Sequence, residues 1–309
     1  IITNLASGYV KHRDGDYEYI FDASTRTSST DYMNTSWYEN DKYDSKQDSV
    51  NVRAKISNFL IPNNTAIAGL NHTSASRDQT NNYLPINTSS LFFTGRATQT
   101  EDAAFIQDDW NVTSKDRITL GARRESFKQN TNATGIDWNG AATYGSLQTN
   151  QSGKSMLNAY EVQYSRSESP ASSKYVKLAQ SYRLPNVDDL SRTLNYDGAL
   201  LLKPQVNKDF EVGATYNYGV NRGYLKYFRS EITDEILFDK KSDSWVGYNV
   251  NAPKTLRQGI ELYDTYSYSN KLSLSASLSI IEAIFQSDTV GAMTGVNGKR
   301  ISGTPNYIL

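Results

Sequence analysis

Residues Leu272-Ser273-Leu274-Ser275-Ala276-Ser277-Leu278-Ser279-Ile280 alternate between apolar and small polar side chains without interruption. An alternation with a period of two places one set of residues on each face of a β-strand. The same alternation recurs in stretches that begin at Tyr17, Val50, Ile118 and Phe210. The pattern predicts an all-β chain whose strands each have one apolar and one polar face, as in a soluble sandwich or a membrane barrel.

The composition favours an ordered chain that lacks a large dry core. Apolar residues make up 38% of the chain, whereas soluble domains usually have ~45–50%. The 22 tyrosines and 12% aromatic residues are too many for a disordered chain, and amphipathic rings are typical of membrane interfaces. The absence of cysteine excludes disulfides and thiolate metal sites, and the net charge of -1 gives no argument for a nucleic-acid partner.

The connections between the alternating stretches favour the membrane barrel. No apolar run approaches the ~20 residues of a spanning helix, so the chain would have to cross a membrane as ~9–12-residue strands. Short and long polar links alternate, as they do in outer-membrane barrels with short periplasmic turns and long extracellular loops. The short links are residues 61–64, 111–116, 165–173, 219–222 and 267–271, and the long links are residues 76–100, 126–155, 184–206, 234–253 and 282–299.

Six motifs add a resemblance to a known family. They are Phe105-Ile106-Gln107-Asp108-Asp109-Trp110 with Gly121-Ala122-Arg123; Ser181-Tyr182-Arg183-Leu184-Pro185-Asn186-Val187-Asp188-Asp189-Leu190; Leu202-Lys203-Pro204-Gln205 with Phe210-Glu211-Val212-Gly213; Tyr227-Phe228-Arg229-Ser230-Glu231-Ile232-Thr233-Asp234-Glu235-Ile236; Thr255-Leu256-Arg257-Gln258-Gly259-Ile260-Glu261-Leu262; and Gly298-Lys299-Arg300-Ile301 with Pro305. In this order and spacing, from about Thr100 to the end, they resemble the barrel of TonB-dependent receptors.

The resemblance implies a fold and a function. It implies an antiparallel transmembrane β-barrel in the cell outer membrane, of which residues 1–309 form a single-domain fragment with about a dozen of 22 strands. The export signal, the plug domain and the last strands are then expected outside this sequence. It also implies active uptake of a scarce nutrient, with a ferric siderophore as the default ligand, energised by the TonB complex through the plug. No cofactor and no enzymatic activity are expected.

Several alternatives stay open at this point. Cobalamin, haem or an oligosaccharide could be the ligand of a receptor of the same family. A passive porin would instead need a constriction loop with opposed charges, and a surface β-rich adhesin would lack the alternation of short and long links. Neither G-x-S-x-G, G-x-G-x-x-G nor a P-loop occurs, so a hydrolase or nucleotide-binding function has no support in the sequence.

The resemblance places ligand contacts in the extracellular loops. The candidate ligand-binding residues are Arg96, Trp138, Tyr144, Arg183, Asp188, Asp189, Tyr196, Trp245 and Tyr248. Their aromatic rings could stack on an iron chelate, and their charged groups could bind it. The competing interpretation is an interfacial aromatic belt for the Trp and Tyr residues and internal salt bridges for the charged residues.

Metal or haem ligation is a weaker interpretation. His12 and His72 could ligate haem, but isolated histidines in strands or loops are more often ordinary polar residues. Asp14-Gly15-Asp16 and Asp108-Asp109 could bind calcium, although turn chemistry and lumen-facing charge account for them more simply. We therefore predict no resident metal site.

Overall fold

The computed structural model describes residues 1–34, 39–83, 91–138, 144–187, 189, 201–240, 247–291 and 293–309. Most of these residues lie in one antiparallel sheet of 13 strands, in the order β1 to β12 and then β15, while β13 and β14 form a separate two-stranded sheet. The strands are β1 (Ile2–Asp14), β2 (Tyr17–Asn34), β3 (Glu39–Ser57), β4 (Asn64–Tyr83), β5 (Leu91–Asn111), β6 (Asp116–Trp138), β7 (Tyr144–Ser169), β8 (Ser172–Arg183), β9 (Gln205–Tyr218), β10 (Asn221–Lys240), β11 (Gly247–Ser269), β12 (Leu272–Phe285), β13 (Thr289–Val290), β14 (Met293–Thr294) and β15 (Tyr307–Ile308).

The register of the sheet collects the predicted apolar sets on one face, which we call the convex face. Val176 lies opposite Val212, Val212 opposite Tyr227, Tyr227 opposite Ile260, and Ile260 opposite Ile280. Ile260 is 48% exposed and Ile280 is 53% exposed, as are many of their apolar neighbours. A sandwich would bury such a band against a second sheet, so the band fits a barrel wall that faces lipid.

The link between β8 and β9 identifies the opposite, concave face. The side chain of Gln99 in β5 donates to the carbonyl of Pro185 at the start of this link. Asn251 in β11 contacts the backbone of Lys203 near the end of the link. Because β5 and β11 are not neighbours in the sheet, the sheet must curl around the link for both contacts to form.

Two buried apolar clusters lie where long links return to the sheet. Ala97, Leu202 and Ile236 form one of them, with Val187 packed against it. The second cluster joins β11 and β12 to the 286–306 link, and its members are Val250, Ala252, Ala283, Phe285, Val290, Val296 and Ile301. Among the described residues, no helix is long and apolar enough to cross a membrane.

The two ends of the sheet differ as predicted, although the strands are longer than predicted. Residues 15–16, 170–171, 219–220 and 270–271 form two-residue turns at one end, and the other end has the long links 184–204 and 286–306. Gly15 and Gly219 adopt positive φ values of 55° and 57°, which two-residue hairpin turns need.

The predicted strand lengths and several predicted long links are wrong. β2 to β7 each contain 18 to 26 residues, so strands occupy most of the links expected at 76–100, 126–155 and 234–253. The reason is that both faces of these strand ends are polar, which removes the alternation that marks a strand in sequence. The backbone hydrogen-bond ladder nevertheless continues, because it satisfies the peptide groups whatever the side chains are.

Candidate ligand-binding face

Charged side chains line the middle of the concave face and pair with one another. Lys226 of β10 lies 3.0 Å from Glu261 of β11 and 3.9 Å from Glu211 of β9. Lys177 of β8 lies 2.7 Å from Glu161 of β7. A cavity of about 710 Å³ opens over these residues. Since each base already faces a carboxylate, this central cavity offers polar partners but little net charge to a ligand.

Arg123 connects four strands on the concave face. Its Nε donates to Glu125 and to the hydroxyl of Tyr182 in β8, both at 2.9 Å, and its Nη1 donates to Asn71 in β4 at 2.6 Å. The Tyr182 hydroxyl also donates to Glu125, and Asn71 donates to Asn51 in β3. Glu125 is buried, and a buried carboxylate is stable only when it is paired and hydrogen-bonded. The network therefore fixes the spacing of β3, β4, β6 and β8.

A glycine in β9 provides the seat for an aromatic ring of β8. A Cβ atom at Gly213 would lie 2.7 Å from ring atoms of Tyr175, so only glycine leaves room for the ring there. The Tyr175 hydroxyl donates to Glu211, two residues before the glycine on the same face. The Glu211-Val212-Gly213 motif thus acts as one unit that positions Tyr175 beside the central cavity.

The ends of the β8–β9 link are fixed to the concave face by amide side chains. Gln99 donates to the Pro185 carbonyl at 3.1 Å, and Gln129 donates to the Leu202 carbonyl at 2.8 Å. Asn251 accepts a hydrogen bond from the Lys203 amide at 2.8 Å and donates to the Lys203 carbonyl at 3.0 Å. Amide groups can donate and accept at once, so they bind a peptide backbone without adding charge.

A second concave cavity, here called the loop-side cavity, lies next to the start of this link. It has a volume of about 570 Å³ and is lined by Arg26, Tyr43, Arg77, Glu101, Asn186 and other residues. The guanidinium carbon of Arg77 lies 4.4 Å from the centroid of the Tyr43 ring, in cation–π contact. The volume of the loop-side cavity falls in the usual range of small-molecule sites, roughly 300–1,000 Å³. Arginine and aromatic groups so placed can bind an anionic, ring-bearing ligand.

The predicted ligand-binding residues fall in four groups. Arg183 pairs with Asp189 at 2.9 Å at the start of the β8–β9 link, close in sequence to Asn186 of the loop-side cavity. Arg96 lies on the convex face, 3.7 Å from its cross-strand partner Asp78. Asp188, Tyr196 and Trp245 lie outside the described residues, and Trp138, Tyr144 and Tyr248 are described only through their backbone in β6, β7 and β11.

Three of the residues considered for metal or haem ligation, His72, Asp108 and Asp109, have other partners. His72 lies on the convex face with its Nδ1 2.7 Å from Asp102. Asp109 accepts a hydrogen bond from the Thr119 hydroxyl and pairs with Arg117 at 2.9 Å, and Asp108 accepts a hydrogen bond from Asn64. In the part of the chain that the structure describes, no group of three or more His, Asp or Glu residues could hold a metal ion.

The comparison with known families decides between the barrel classes. Residues 3–309 match the family model described as TonB dependent receptor-like, beta-barrel. The chain belongs to the TonB-dependent receptors. This membership confirms the family that the six motifs suggested, and the unclosed sheet of 13 strands confirms a partial antiparallel barrel.

Solved structures of TonB-dependent receptors have the same fold at low sequence identity. The ferric yersiniabactin uptake receptor FyuA from Yersinia pestis has a TM-score of 0.78 at 16% identity, over 99% of this chain and 45% of that chain. The siderophore receptor PiuA from Acinetobacter baumannii has a TM-score of 0.70 at 14% identity, over 99% and 51%. The copper transporter OprC has a TM-score of 0.69 at 15% identity, over 88% and 44%. The chain thus spans about half the length of these proteins.

The sequence interpretation missed the residues that organise the concave face. Arg123, Tyr182 and Glu211 occur in the quoted motifs, but there they served only to support the resemblance. Gln99 and Gln129 carry no motif at all, and their role appears only once the β8–β9 link is placed over them. The alternation is a usable signal for Arg123 and Glu211, which it assigns to the polar face of their strands, but it gives no such signal for Tyr182, Gln99 or Gln129.

Proposed function

We propose that this chain forms part of the barrel wall of an outer-membrane transporter that captures a ferric siderophore and moves it inward with energy from TonB. In this proposal a plug domain occupies the concave side and links the receptor to TonB. Family membership supports the transport class, and the solved relatives include FyuA, named as a ferric yersiniabactin uptake receptor, and PiuA, named as a siderophore receptor. The activity is transport, so no catalytic residue is assigned.

The loop-side cavity is the observation that carries the proposed ligand class. Ferric chelates built from carboxylate or phenolate oxygens are anionic and often carry rings. Arginine binds such oxygens in a bidentate manner, and Tyr43 offers a ring for stacking. Arg26 and Arg77 face one acid in this cavity, Glu101. With Lys46 also in the lining, basic side chains outnumber acidic ones in this cavity.

The β8–β9 link supplies the second part of the proposed site. Arg183 and Asp189 hold the start of the link, and Asn186 extends from it into the loop-side cavity. We keep Arg183, Asp188, Asp189 and Tyr196 as proposed contacts of the ligand in this link. Trp138, Tyr144, Trp245 and Tyr248 remain proposed contacts from the neighbouring strand ends and links, and Arg96 remains a proposed contact from outside the concave face.

Ligand binding by the full-length protein that contains this chain tests the proposal. We expect Arg77→Ala to weaken the binding of an anionic ferric chelate by about tenfold, because a charge-assisted hydrogen bond contributes about 1.5–3 kcal/mol. Arg124→Ala is the matched control, since it removes the same charge from the convex face, opposite Ala104, at a residue that is not a proposed contact. Intrinsic fluorescence quenching would give both dissociation constants.

Uptake of radioactive iron by iron-starved cells tests the transport step. We expect uptake to require both this receptor and TonB. Uptake that persists without TonB would indicate a passive porin, and a receptor indifferent to ferric chelates but active with cobalamin, haem or an oligosaccharide would remove the siderophore assignment. If Arg77→Ala leaves binding unchanged, or weakens it no more than Arg124→Ala does, the loop-side cavity is not the ligand site.

A further inference from the structure

The turn between β3 and β4 presents an apolar tip at the short-turn end of the sheet. Residues Asn58-Phe59-Leu60-Ile61-Pro62-Asn63 connect the two strands. The Leu60 side chain at the tip is 87% exposed, and Phe59 and Ile61 are 39% and 36% exposed. At most one large apolar residue occurs in each of the other turns at this end, which are residues 15–16, 112–115, 170–171, 219–220 and 270–271. The tip is therefore a distinct apolar surface, for which water is an unfavourable environment.

Hydrogen bonds and an unusual backbone conformation define the shape of this turn. The Asn58 amide donates to the Asn64 carbonyl at 2.8 Å, and the Asn63 amide donates to the Asn58 side chain at 3.0 Å. Leu60 has a positive φ of 65°, which costs energy for a bulky residue and which glycine or asparagine would adopt more easily. Backbone strain of this kind indicates a function for the residue that carries it. The turn thus presents a leucine side chain outward although both its exposure and its backbone are unfavourable.

The turn leans over the rim of the convex face. Asn64, the first residue of β4, lies on the same face as Leu70, because the register of β4 and β5 continues without a bulge between them. The Asn64 side chain donates to the Phe59 carbonyl at 2.7 Å and to Asp108 at 2.9 Å. Asn64 is 4% exposed, whereas Leu70 is 61% exposed. The start of the turn therefore lies against the convex side of the sheet rather than the concave side.

A tryptophan next to the turn marks the depth of this rim. Trp110, near the end of β5, lies directly opposite Asn64 in the sheet. The Asn111 amide donates to the Asn63 carbonyl at 3.0 Å, which joins the end of β5 to the apolar turn. Tryptophan is enriched where a bilayer meets water. The apolar tip is therefore next to the level at which the convex face would leave the hydrocarbon.

We propose that Phe59, Leu60 and Ile61 insert into the headgroup region of the membrane leaflet on the short-turn side and anchor the β3–β4 hairpin at a fixed depth. The anchor rests on the proposed function, because it requires the convex face to lie in a membrane. Continuity with the exposed apolar band favours lipid over a protein partner, since the turn leans towards the face that contacts hydrocarbon. Residues 58–63 contain no charged side chain, so insertion to the usual depth of about 5–10 Å desolvates no ionised group of the turn.

Fluorescence of a label attached at residue 60 tests the anchor. The full-length protein, without other cysteines, is folded into phosphatidylcholine vesicles with nitrobenzoxadiazole attached to Leu60→Cys. Ser114→Cys is the matched control, because Ser114 is exposed in the neighbouring turn between β5 and β6. We expect a lipid that is spin-labelled near its headgroup to quench the label at residue 60 about threefold more strongly than the label at residue 114, and iodide to show the reverse order. If Leu60→Cys does not fold, Ile61→Cys gives the same measurement.

Two results would overturn the anchor. They are equal quenching of both labels by the spin-labelled lipid, and stronger quenching by iodide at residue 60 than at residue 114. A label at residue 60 that iodide reaches in vesicles but not in isolated outer membranes would assign the tip to a protein partner instead. Outer-membrane fractionation and iron uptake of the same variants report on the proposed function separately, so a transporter that passes both tests but shows no lipid contact at residue 60 contradicts only this inference.

Discussion

The two faces of the sheet consist of adjacent residues in the same strands, yet they bury opposite kinds of side chain. On the convex face, Ile260 and Ile280 are apolar and about half exposed. On the concave face, the carboxylates Glu125 and Glu235 are buried, 2% and 5% exposed. In a water-soluble domain this arrangement would be unstable. The arrangement is stable when the convex face contacts hydrocarbon and the concave face contacts polar groups.

The largest expected effect comes from placing a charge on the wrong face. Ile280→Arg puts a guanidinium on the convex face, in the row that also contains Tyr227 and Ile260. We expect a loss of about 2–4 kcal/mol in the free energy of unfolding, the cost of a base on the lipid face of a barrel near mid-depth. Urea titration of the full-length protein folded into lipid vesicles measures it.

The neighbouring residue provides the control for this prediction. Ser279→Arg introduces the same group at almost the same depth but on the concave face, opposite Glu261. We expect its unfolding free energy to change by less than about 1 kcal/mol, because an opposite charge is at hand and the face is polar. Equal destabilisation by both substitutions would show that the two faces do not have different solvents.

The next largest effect concerns a buried carboxylate. Glu125→Ala leaves Arg123 and the Tyr182 hydroxyl without their shared acceptor. Breaking a buried pair costs about 3–5 kcal/mol, but Arg123 is about one-third exposed, so we expect about 2 kcal/mol after allowing for solvent screening. Glu168→Ala, which removes the exposed partner of Lys174, should cost less than about 0.5 kcal/mol in the same assay.

The convex face could be predicted from the sequence, and the concave face only in part. Alternation around Val212, Ile260 and Ile280 depends on local chemistry, because lipid requires an apolar side chain at every second position. The concave network joins residues far apart in the chain, such as Asn71 and Tyr182. Its members are only required to be polar, and many pairings of polar residues satisfy that requirement. Which polar residues pair with one another therefore depends on how the strands are aligned in the sheet, and no local sequence pattern specifies that alignment.

The strand ends show a second limit of structure prediction from the sequence. The link at 184–206 was predicted almost to the residue, because Leu184-Pro185 ends one strand and the apolar alternation resumes at Phe210. The links expected at 76–100 and 126–155 are mostly strand, because polar residues on both faces look like loop residues. Sequence patterns thus locate the part of a strand that contacts lipid, rather than the whole strand.

A smaller effect tests how closely the concave face is packed. Gly213→Ala would place a methyl group 2.7 Å from the Tyr175 ring. We expect a loss of about 1–2 kcal/mol in the unfolding free energy, which is typical of overpacking. Gly8→Ala is the control, since an added Cβ there meets nothing within 4 Å. Similar stabilities of the two variants would show that Tyr175 moves aside without cost and that the glycine is not required.

The smallest effect is local and concerns the loop that crosses the concave face. Gln99→Ala removes the hydrogen bond to the Pro185 carbonyl, and a single neutral bond contributes about 0.5–1.5 kcal/mol. We expect the global free energy of unfolding to change little. We expect protease to cleave the 184–204 link about fivefold faster, because the start of the link detaches from the concave face more often. Gln107→Ala is the control, since Gln107 lies on the same face of the same strand and contacts Asp109 instead of the link. If cleavage is unchanged in Gln99→Ala, the link is held by its other contacts, Gln129 and Asn251, and the concave face tolerates loss of any one amide.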